Sequence, residues 1–304
     1  AFDHELTPVF IAQEEIPLSF PQEGWVEQDA EQIWSRSILV CKRVIRDCGG
    51  ADQIAAIAIT NQRETTLMWD RETGDPFGPA IIWQDRRTSA ACQAMKDAGQ
   101  EKTVQALSGL LIDPYFSATK IRWILENFPA AAKAVEQERA AFGTVDSYLL
   151  ARLTTGSEHA TDVTNASRTA LMDLSASSWS RHLCDLFDVP WSVLPSIGPS
   201  GGEFGVTDKR IFGKAIPVLS MIGDQQAALV GHACTQKGDA KITYGTGAFL
   251  VANTGMDIPV SGHRLLATSA FQAQGKANWA LEGSIFNAGT VVKWLRDELG
   301  LISQ

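Results

Sequence analysis

The chain has 304 residues, of which 45% are hydrophobic and 20% charged, the balance of an ordinary globular protein rather than a disordered one. Because this length exceeds what one compact core usually holds, we predict two domains, or one domain and part of another. A formal net charge of −9 argues against a nucleic-acid partner, since nucleic-acid binding relies on Lys and Arg that neutralise phosphates.

The cysteines and the chain start indicate a cytoplasmic protein. The 5 cysteines are an odd number at scattered positions without a C-x-x-C pair, which favours reduced thiols over a disulfide framework or a zinc site. No stretch approaches the roughly 18 uninterrupted apolar residues of a membrane span. The first residues, Ala1-Phe2-Asp3-His4-Glu5, lack the basic start of a signal peptide, and we expect them to follow an earlier strand.

The first third of the chain alternates predicted strands and helices. Residues 1–20 are expected to form hairpin strands at 9–12 and 16–20. Apolar residues at spacings of 4, 3 and 4 predict a helix over 28–47, which ends at Gly49-Gly50. The continuous apolar run 54–60 predicts a strand buried on both faces.

Polar side chains follow these predicted strands. The run 54–60 is followed by Asn-Gln-Arg-Glu-Thr-Thr at 61–66, and two further strands are predicted at 66–69 and 80–83, the second followed by Gln84-Asp85-Arg86-Arg87. In open α/β sheets the ligand crevice lies outside the carboxyl ends of the strands. The segment containing Arg63 and Glu64 is therefore a candidate site.

The middle of the chain is predicted to be largely helical. We expect helices at 89–107, at 130–141, at 148–153 with Asp146 or Ser147 as N-cap, and at 179–187. A loop at 113–120 is expected to lead into another helix. Residues 161–168 are predicted to be a loop, and 190–205 a long surface connection.

The last third repeats the order of the first. A buried strand at 216–222 ends on Gly223-Asp224 and leads into a helix at 225–232. Strands are expected at 240–244, 248–254, 265–271 and 278–283, followed by a helix over 285–299. Because four strands and a helix also open the chain, we predict an α/β domain followed by the start of a similar one.

Each candidate residue has a functional and a structural interpretation. Arg63 and Glu64 form either a surface ion pair or a hydrogen-bonding pair for a polyol. Asp224 is either the N-cap of its own helix or a base that takes a hydroxyl proton during phosphoryl transfer. Trp83 and Tyr115 are either core aromatics or platforms for the carbon skeleton of a ligand.

Glycine-rich phosphate motifs are sparse. The turn Gly245-Thr246-Gly247 could approach a phosphate closely, although similar turns join many hairpins. The chain contains no G-x-x-x-x-G-K-[ST] loop, and no G-x-G-x-x-G follows a strand. The latter absence counts against a dinucleotide enzyme.

Seven segments, in order along nearly the whole chain, resemble the glycerol kinases within the wider sugar-kinase family. NQRETT is characteristic of the glycerol enzymes, whereas the Gly-Asp pair and the Gly-Thr turn are general. The segments are NQRETT at 61–66, WQDRR at 83–87, PYFS at 114–117, TNASR at 164–168, GDQQAA at 223–228, YGTG at 244–247 and WLRDE at 294–298.

The resemblance implies an α/β fold of the ribonuclease-H-like, actin-like ATPase type with two domains. Residues 1–232 would be a nearly complete polyol-binding domain, and 233–304 the start of a truncated nucleotide-binding domain. The family's Asp-x-Gly-Thr-Thr phosphate loop would precede Ala1, and its Gly-Gly adenosine segment would follow Gln304. We therefore expect a nearly complete glycerol site and part of a nucleotide site.

The resemblance also implies a reaction and its residues: ATP-dependent phosphorylation of glycerol to sn-glycerol 3-phosphate, with Mg²⁺ and a dimeric or tetrameric enzyme. Asp224 would be the catalytic base and would contact Mg²⁺, directly or through water. The hydroxyls of glycerol would bind Arg63, Glu64, Tyr115, Asp224 and Gln225, its carbons would contact Trp83 and Phe249, and the nucleotide would contact Thr246, Gly289 and Lys293.

Two alternatives stay open. One is a kinase of the same family that acts on another polyol or sugar. The other is a non-catalytic relative that binds a polyol without ATP turnover. At Lys293 the chain departs from the family pattern, because related enzymes often carry Gln there near the nucleotide. The contact expected between Lys293 and the nucleotide is therefore open.

Overall fold

The computed structural model describes residues 1–245 and 247–302. The helices of these residues are α1 (Ala30–Asp47), α2 (Ser89–Asp97), α3 (Glu101–Ser108), α4 (Ser117–Asn127), α5 (Pro129–Glu136), α6 (Val145–Leu153), α7 (Val163–Ala166), α8 (Arg181–Leu186), α9 (Lys209–Phe212), α10 (Asp224–Gly231) and α11 (Gly289–Lys293). Short 3₁₀ turns occur at Ala51–Gln53 and Trp191–Val193, and a π-helical turn at Trp294–Glu298 follows α11.

The strands are mostly short. They are β1 (Glu27–Gln28), β2 (Ile57–Asn61), β3 (Leu67–Asp70), β4 (Ala80–Ile81), β5 (Ala140–Gly143), β6 (Ala160–Asp162), β7 (Met172–Asp173), β8 (Ser178–Trp179), β9 (Ser196–Gly198), β10 (Gly201–Val206), β11 (Pro217–Gly223), β12 (Ala240–Tyr244), β13 (Ala248–Gly255), β14 (Leu266–Ala273) and β15 (Lys276–Ile285).

Two sheets organise the molecule. In the first, β2 runs parallel to β11, and β10 pairs with the other edge of β11 in the antiparallel direction. In the second, β12, β13, β15 and β14 form an antiparallel sheet in that order. Because β2 and β11 are parallel, their carboxyl ends meet at one edge, with Gly223 opposite Asn61.

The main core draws on the middle helices together with β3, β4 and β5. Ile121 and Ile124 of α4 are buried there, together with Leu110 and Phe142. The second sheet joins this part of the chain, since the N–H of Ala267 in β14 donates to the carbonyl of Gly109 at 3.0 Å. No helix in residues 1–245 and 247–302 is both long and apolar enough to cross a membrane.

Several predicted elements are confirmed with small shifts. Helix α1 covers the predicted 28–47 apart from its first two residues, and Asp29 caps it by accepting from the N–H of Gln32. The predicted strands of the last third correspond to β11 through β15, and the predicted helix at 225–232 to α10. The long periodic and apolar runs of the sequence thus identify these elements correctly.

The hairpin predicted for residues 1–20 is wrong. This segment contains a turn at 4–5 and no strand, and its sheet-type pairings are isolated bridges, between Phe2 and Pro8 and between Ser19 and Glu27. Pro8 and Pro17 lack the backbone N–H that a ladder requires. Ile11, in the middle of the first predicted strand, is 74% exposed.

The strand predicted at 54–60 is β2, but it is not buried on both faces. Ile59 and Asn61 are buried, whereas Ala58 and Thr60 between them are exposed. β2 lies at the edge of its three-stranded sheet, with β11 as its neighbour. An apolar run of alanine and isoleucine did not distinguish a covered face from an open one.

The alanine-rich helices are shorter than predicted. The helix expected at 89–107 is divided into α2 and α3 at Gly99, which has a φ of 75°. The helix expected at 130–141 ends at Glu136, and Ala140 and Ala141 belong to β5, which pairs with β3. Pairing with a neighbouring strand therefore outweighs the helix propensity of alanine.

The predicted loops are partly regular structure. Residues 161–168 contain the end of β6 and the whole of α7, all buried, and 190–205 contain β9 and most of β10. Trp179 belongs to β8, and helix α8 begins after Ser180. The N-cap of α6 is Thr144, two or three residues before the expected position. Small polar residues are typical of loops, but here their hydrogen-bond partners lie far along the sequence, so no local pattern indicates that they are buried.

Candidate active site

The carboxyl ends of β2 and β11 bring two predicted site residues together. Arg63 follows β2 and Asp224 follows β11, and Arg63 Nε lies 3.5 Å from Asp224 Oδ1. Gly223 permits this approach, because a Cβ at that position would lie 2.7 Å from Cγ and Cδ of Arg63. The Gly-Asp pair is therefore a steric requirement of the site as well as the end of a strand.

Side chains of helix α7 form hydrogen bonds with the carboxyl ends of both β2 and β11. Asn165 and Asn61 exchange side-chain amide hydrogen bonds of 3.0 Å, and Thr164 Oγ1 accepts from the N–H of Gly223 at 2.8 Å. Asp162 caps α7 and accepts from both Thr164 Oγ1 and Asn165. Burial raises the pKa of Asp162 to about 6.

Arg63 and Glu64 are buried, so the surface ion-pair interpretation is wrong. Arg63 is 2% exposed and Glu64 is 1% exposed. The guanidinium of Arg63 donates two hydrogen bonds to the carboxylate of Glu282, at 2.6 and 2.9 Å. This two-pronged contact fixes the plane of the guanidinium.

A second arginine completes a buried charge cluster of Arg63, Glu64, Arg168 and Glu282. Arg168 Nε donates to Glu64 at 2.6 Å, and its Nη2 donates to Glu282 at 3.1 Å. The two guanidiniums and two carboxylates balance in formal charge. Such balance is needed because an unpaired buried charge is strongly destabilising.

The two carboxylates of the charge cluster differ in their electrostatics. Burial opposes ionisation of Glu282, but the guanidiniums of Arg168 and Arg63 outweigh it and lower its pKa to about 2. Burial raises the pKa of Glu64, although Arg63 and Arg168 oppose this shift. Glu282 is therefore the carboxylate that neutralises both arginines. Glu64 accepts a hydrogen bond from only one of these arginines, Arg168, and is the less strongly paired of the two carboxylates.

Aromatic rings form the wall beside the charge cluster. Trp83 packs edge-on against Tyr115 at 5.9 Å and against Phe249 at 5.7 Å between ring centroids. Phe286 packs against Tyr115 at 5.1 Å, and a cavity of about 400 Å³ is lined by Trp83, Tyr115 and Phe286 among others. We call these four rings the aromatic box. Burial raises the pKa of the Tyr115 phenol, which stays protonated as a donor.

Asp224 begins α10 but does not cap it. The N-cap is Gly223, no side chain caps the helix, and the Asp224 side chain is 44% exposed. Its Oδ2 accepts from Gln225 Nε2 at 2.9 Å, and Gln225 Oε1 in turn accepts from Lys241 Nζ. The cap interpretation of Asp224 is therefore wrong, and the carboxylate is accessible beside Arg63.

Of the segments predicted to contact a nucleotide, the start of α11 at Gly289 lies next to Gly245. The N–H of Gly289, at the start of α11, donates to the carbonyl of Gly245 at 3.0 Å. Thr246 lies outside the described residues. Lys293 is exposed in the last turn of α11. Gly245 and the start of α11 are thus adjacent.

Comparison with known proteins places the chain in a family. The N-terminal domain of the FGGY family of carbohydrate kinases matches residues 1–231. The chain belongs to the FGGY family. It is 52% identical over 304 residues to a glycerol kinase of Ectopseudomonas mendocina, covering 99% of this chain and 61% of that protein. It is also 52% identical over 302 residues to glycerol kinase 1 of Pseudomonas aeruginosa, covering 99% and 61%.

A solved structure has the same fold. The crystal structure of Plasmodium falciparum glycerol kinase with ADP superimposes with a TM-score of 0.93 at 35% identity, covering 100% of this chain and 61% of that one. The predicted α/β fold of the ribonuclease-H-like, actin-like type is therefore confirmed. The chain spans about 61% of the length of these relatives. The domain boundary at residue 232 stays a prediction.

Most of the predicted substrate residues of this FGGY kinase chain lie together. Arg63, Glu64 and Asp224 meet at the strand ends, Gln225 contacts Asp224, and Tyr115 lies 3.4 Å from Arg63 through its hydroxyl. Trp83 and Phe249 stand in the aromatic box. The substrate, catalytic, metal and nucleotide roles of these residues stay predictions.

Sequence reasoning missed Arg168, Glu282 and Phe286 as parts of the site. A signal existed for Glu282, because it is the one charged residue in the predicted strand 278–283. Arg168 closes the TNASR segment, which was read as a loop. Phe286 follows β15 without any periodic pattern, so nothing local indicated its role.

Proposed function

We propose that the protein containing this chain is an ATP-dependent glycerol kinase that forms sn-glycerol 3-phosphate. The observation that carries this proposal is the meeting of buried Arg63 and Glu64 with accessible Asp224, beside the aromatic box. Relatives about half identical over nearly the whole chain are glycerol kinases, which favours glycerol over other substrates of the FGGY family.

Glycerol recognition is proposed to use the gap around Arg63 Nε. This atom lies 3.8 Å from Glu64 Oε1 and 3.5 Å from Asp224 Oδ1, both longer than an ordinary N–H···O hydrogen bond. A substrate hydroxyl placed there would accept from Nε and donate to a carboxylate. Tyr115 and Gln225 would serve neighbouring hydroxyls, while Trp83 and Phe249 would cover the carbon atoms.

Asp224 is proposed to act as the general base. It would accept the proton of a terminal hydroxyl while that oxygen forms a bond to the γ-phosphorus and the bond from phosphorus to ADP breaks. Its partial exposure and its position next to Arg63 support this role. The hydrogen bond from Gln225 would leave Oδ1 to face the substrate.

The nucleotide is proposed to lie against the turn at 244–247 and the start of α11. The hydrogen bond between Gly245 and Gly289 supports a shared surface at Gly245 and the start of α11, and Lys293 would reach it from the exposed face of α11.

For Mg²⁺, the described residues contain no cluster of three or more His, Cys, Asp or Glu side chains that could hold a metal. A single carboxylate such as Asp224, directly or through water, fits an ion that arrives on nucleotide phosphates. When bound, such an ion neutralises charge on the transferred phosphoryl group.

We also propose that the protein is a cytoplasmic dimer or tetramer. The five cysteines are free in the part of the chain that the structure describes, which supports a reducing compartment. The resemblance to the glycerol kinases supports the oligomer. Light scattering of the purified complete gene product measures its mass, and a monomer at all concentrations contradicts the assembly.

The test of the proposed function is a coupled assay of ADP release by the complete gene product. Glycerol should support turnover at a kcat/KM at least tenfold above that for xylulose, gluconate and other polyols. Turnover with another of these substrates but not glycerol supports the first alternative. Glycerol binding without ADP release supports the non-catalytic alternative.

A further inference from the structure

A buried lysine lies directly beneath the proposed glycerol site. Lys120 belongs to α4 and is 0% exposed, whereas lysine is almost never fully buried unless it is paired. No ion pair found among residues 1–245 and 247–302 includes Lys120. Its Nζ donates instead to two backbone carbonyls, that of Glu64 at 3.1 Å and that of Tyr115 at 2.9 Å.

The first of these carbonyls belongs to a strained backbone position. Glu64 has a φ of 60°, in the left-handed region that non-glycine residues rarely occupy. Its carbonyl also accepts from Thr66 Oγ1 at 2.9 Å and from Ser117 Oγ at 3.4 Å. Such a conformation persists only when its surroundings hold it, and two of the three donors come from α4.

The second carbonyl belongs to the aromatic box. Tyr115 lies in the loop that leads into α4, and its ring packs between Trp83 and Phe286. One ammonium group therefore connects the backbones of Glu64 and Tyr115, which lie 51 positions apart in the sequence. The positions of the Glu64 carboxylate and the Tyr115 hydroxyl depend on the same contact.

Burial of the Lys120 ammonium destabilises the folded state. The charged groups that act on it are the carboxylates of Glu64, Asp85 and Asp113 and the guanidinium of Arg87. Burial outweighs the carboxylates and lowers the pKa of Lys120 to about 8. An apolar side chain of similar length would fill the space without this cost, so packing alone does not explain a lysine here.

We propose that Lys120 is a positioning residue of the polyol site. Its ammonium holds the backbone of Glu64 and of Tyr115 so that both side chains converge on one substrate. The inference rests on the proposed function, since it takes the polyol to be held by Glu64 and Tyr115. Lys120 does not touch the substrate itself.

The test uses Lys120→Met in the complete gene product, with Lys133→Met on the exposed face of α5 as the matched control. Removing the ammonium frees the Glu64 turn, so the KM for glycerol should rise at least tenfold while the KM for ATP stays within twofold. The melting temperature should stay equal or rise, because a buried charge is lost. Lys133→Met should change neither KM.

A second measurement needs only the wild-type protein. As the pH is raised from 7 to 9, Lys120 loses its charge and its hydrogen bonds to the carbonyls weaken, so the KM for glycerol should rise. The KM for ATP should not follow it. In Lys120→Met the rise should be smaller, and what remains reports Lys241, which donates to Gln225 and whose pKa burial also lowers to about 8.

The outcomes separate the inference from the proposed function. If wild type neither binds nor phosphorylates glycerol, both are wrong. If wild type is active and Lys120→Met keeps its KM for glycerol within twofold, only the inference is wrong. A variant that melts earlier and loses affinity for glycerol and ATP in parallel also overturns it, because that result describes a structural residue.

Discussion

Replacing Glu282 by glutamine tests the buried charge cluster most directly. The substitution keeps the shape of the side chain but removes the charge that Arg63 and Arg168 share. The pKa of Glu282 falls from 4.5 to about 2 in the folded protein. At about 1.4 kcal/mol per pKa unit, this corresponds to a stabilisation of about 3 kcal/mol at neutral pH.

The expected result is a free energy of unfolding about 3 kcal/mol lower at pH 7, close to the usual cost of removing one partner of a buried ion pair. Urea titration of the complete gene product measures it, with Glu136→Gln on the exposed surface of α5 as control. Because Arg63 also loses its anchor, the KM for glycerol should rise at least tenfold.

The stability difference between wild type and Glu282→Gln should depend on pH in one direction. A depressed folded pKa stabilises the protein above the unfolded value of 4.5, and this stabilisation is lost as the pH falls towards about 2. The difference between wild type and Glu282→Gln should therefore narrow below pH 4.5. A difference at pH 7 no larger than that of Glu136→Gln, or one that widens in acid, refutes the assignment of Glu282.

Three further substitutions test the rest of the site. Asp224→Asn should lower kcat by a factor on the order of 10²–10⁴ and leave glycerol affinity within about tenfold, and near-normal turnover would remove Asp224 from the mechanism. Gly223→Ala places a methyl group 2.7 Å from Arg63 and should raise the KM for glycerol about tenfold, whereas Gly231→Ala, whose Cβ meets nothing within 4 Å, should not; equal effects contradict the steric argument. Lys120 has a pKa lowered from 10.5 to about 8, so wild type should gain more stability than Lys120→Met as the pH rises from 8 towards 10.5, as measured by denaturant titration at each pH. Lys241, whose pKa burial also lowers to about 8, contributes equally to both proteins, so parallel curves contradict the burial of a charge at Lys120.

The charge cluster also suggests why these residues occur together. Replacing a balanced buried ion network by apolar residues is often neutral or stabilising, so the network is weak evidence for stability on its own. Here it orients Arg63 and leaves Glu64 the less paired carboxylate. We infer that the cluster serves the orientation of substrate-binding groups.

Local patterns were sufficient for the elements that carry the site. The apolar runs that became β2 and β11 predicted strands, and the polar residues after them predicted a ligand edge, because the carboxyl ends of parallel strands meet. The resemblance to the glycerol kinases, and not these local patterns, implied that Arg63 and Asp224 bind one substrate. The sequence by itself also predicted α10 and β12 through β15, since their patterns are long and regular.

Only the tertiary structure decided what surrounds those strand ends. Glu282 reaches Arg63 across 219 positions, and Arg168 reaches Glu64 across 104, so no local pattern relates them. Lys120 is the last residue of the loop predicted at 113–120, whereas in the structure it lies within α4, and its burial against two carbonyls depends on a turn 56 positions earlier. Hydrophobic periodicity and helix or strand propensity depend on a few neighbouring residues, whereas the pairing of buried charges is set by the packing of the whole fold.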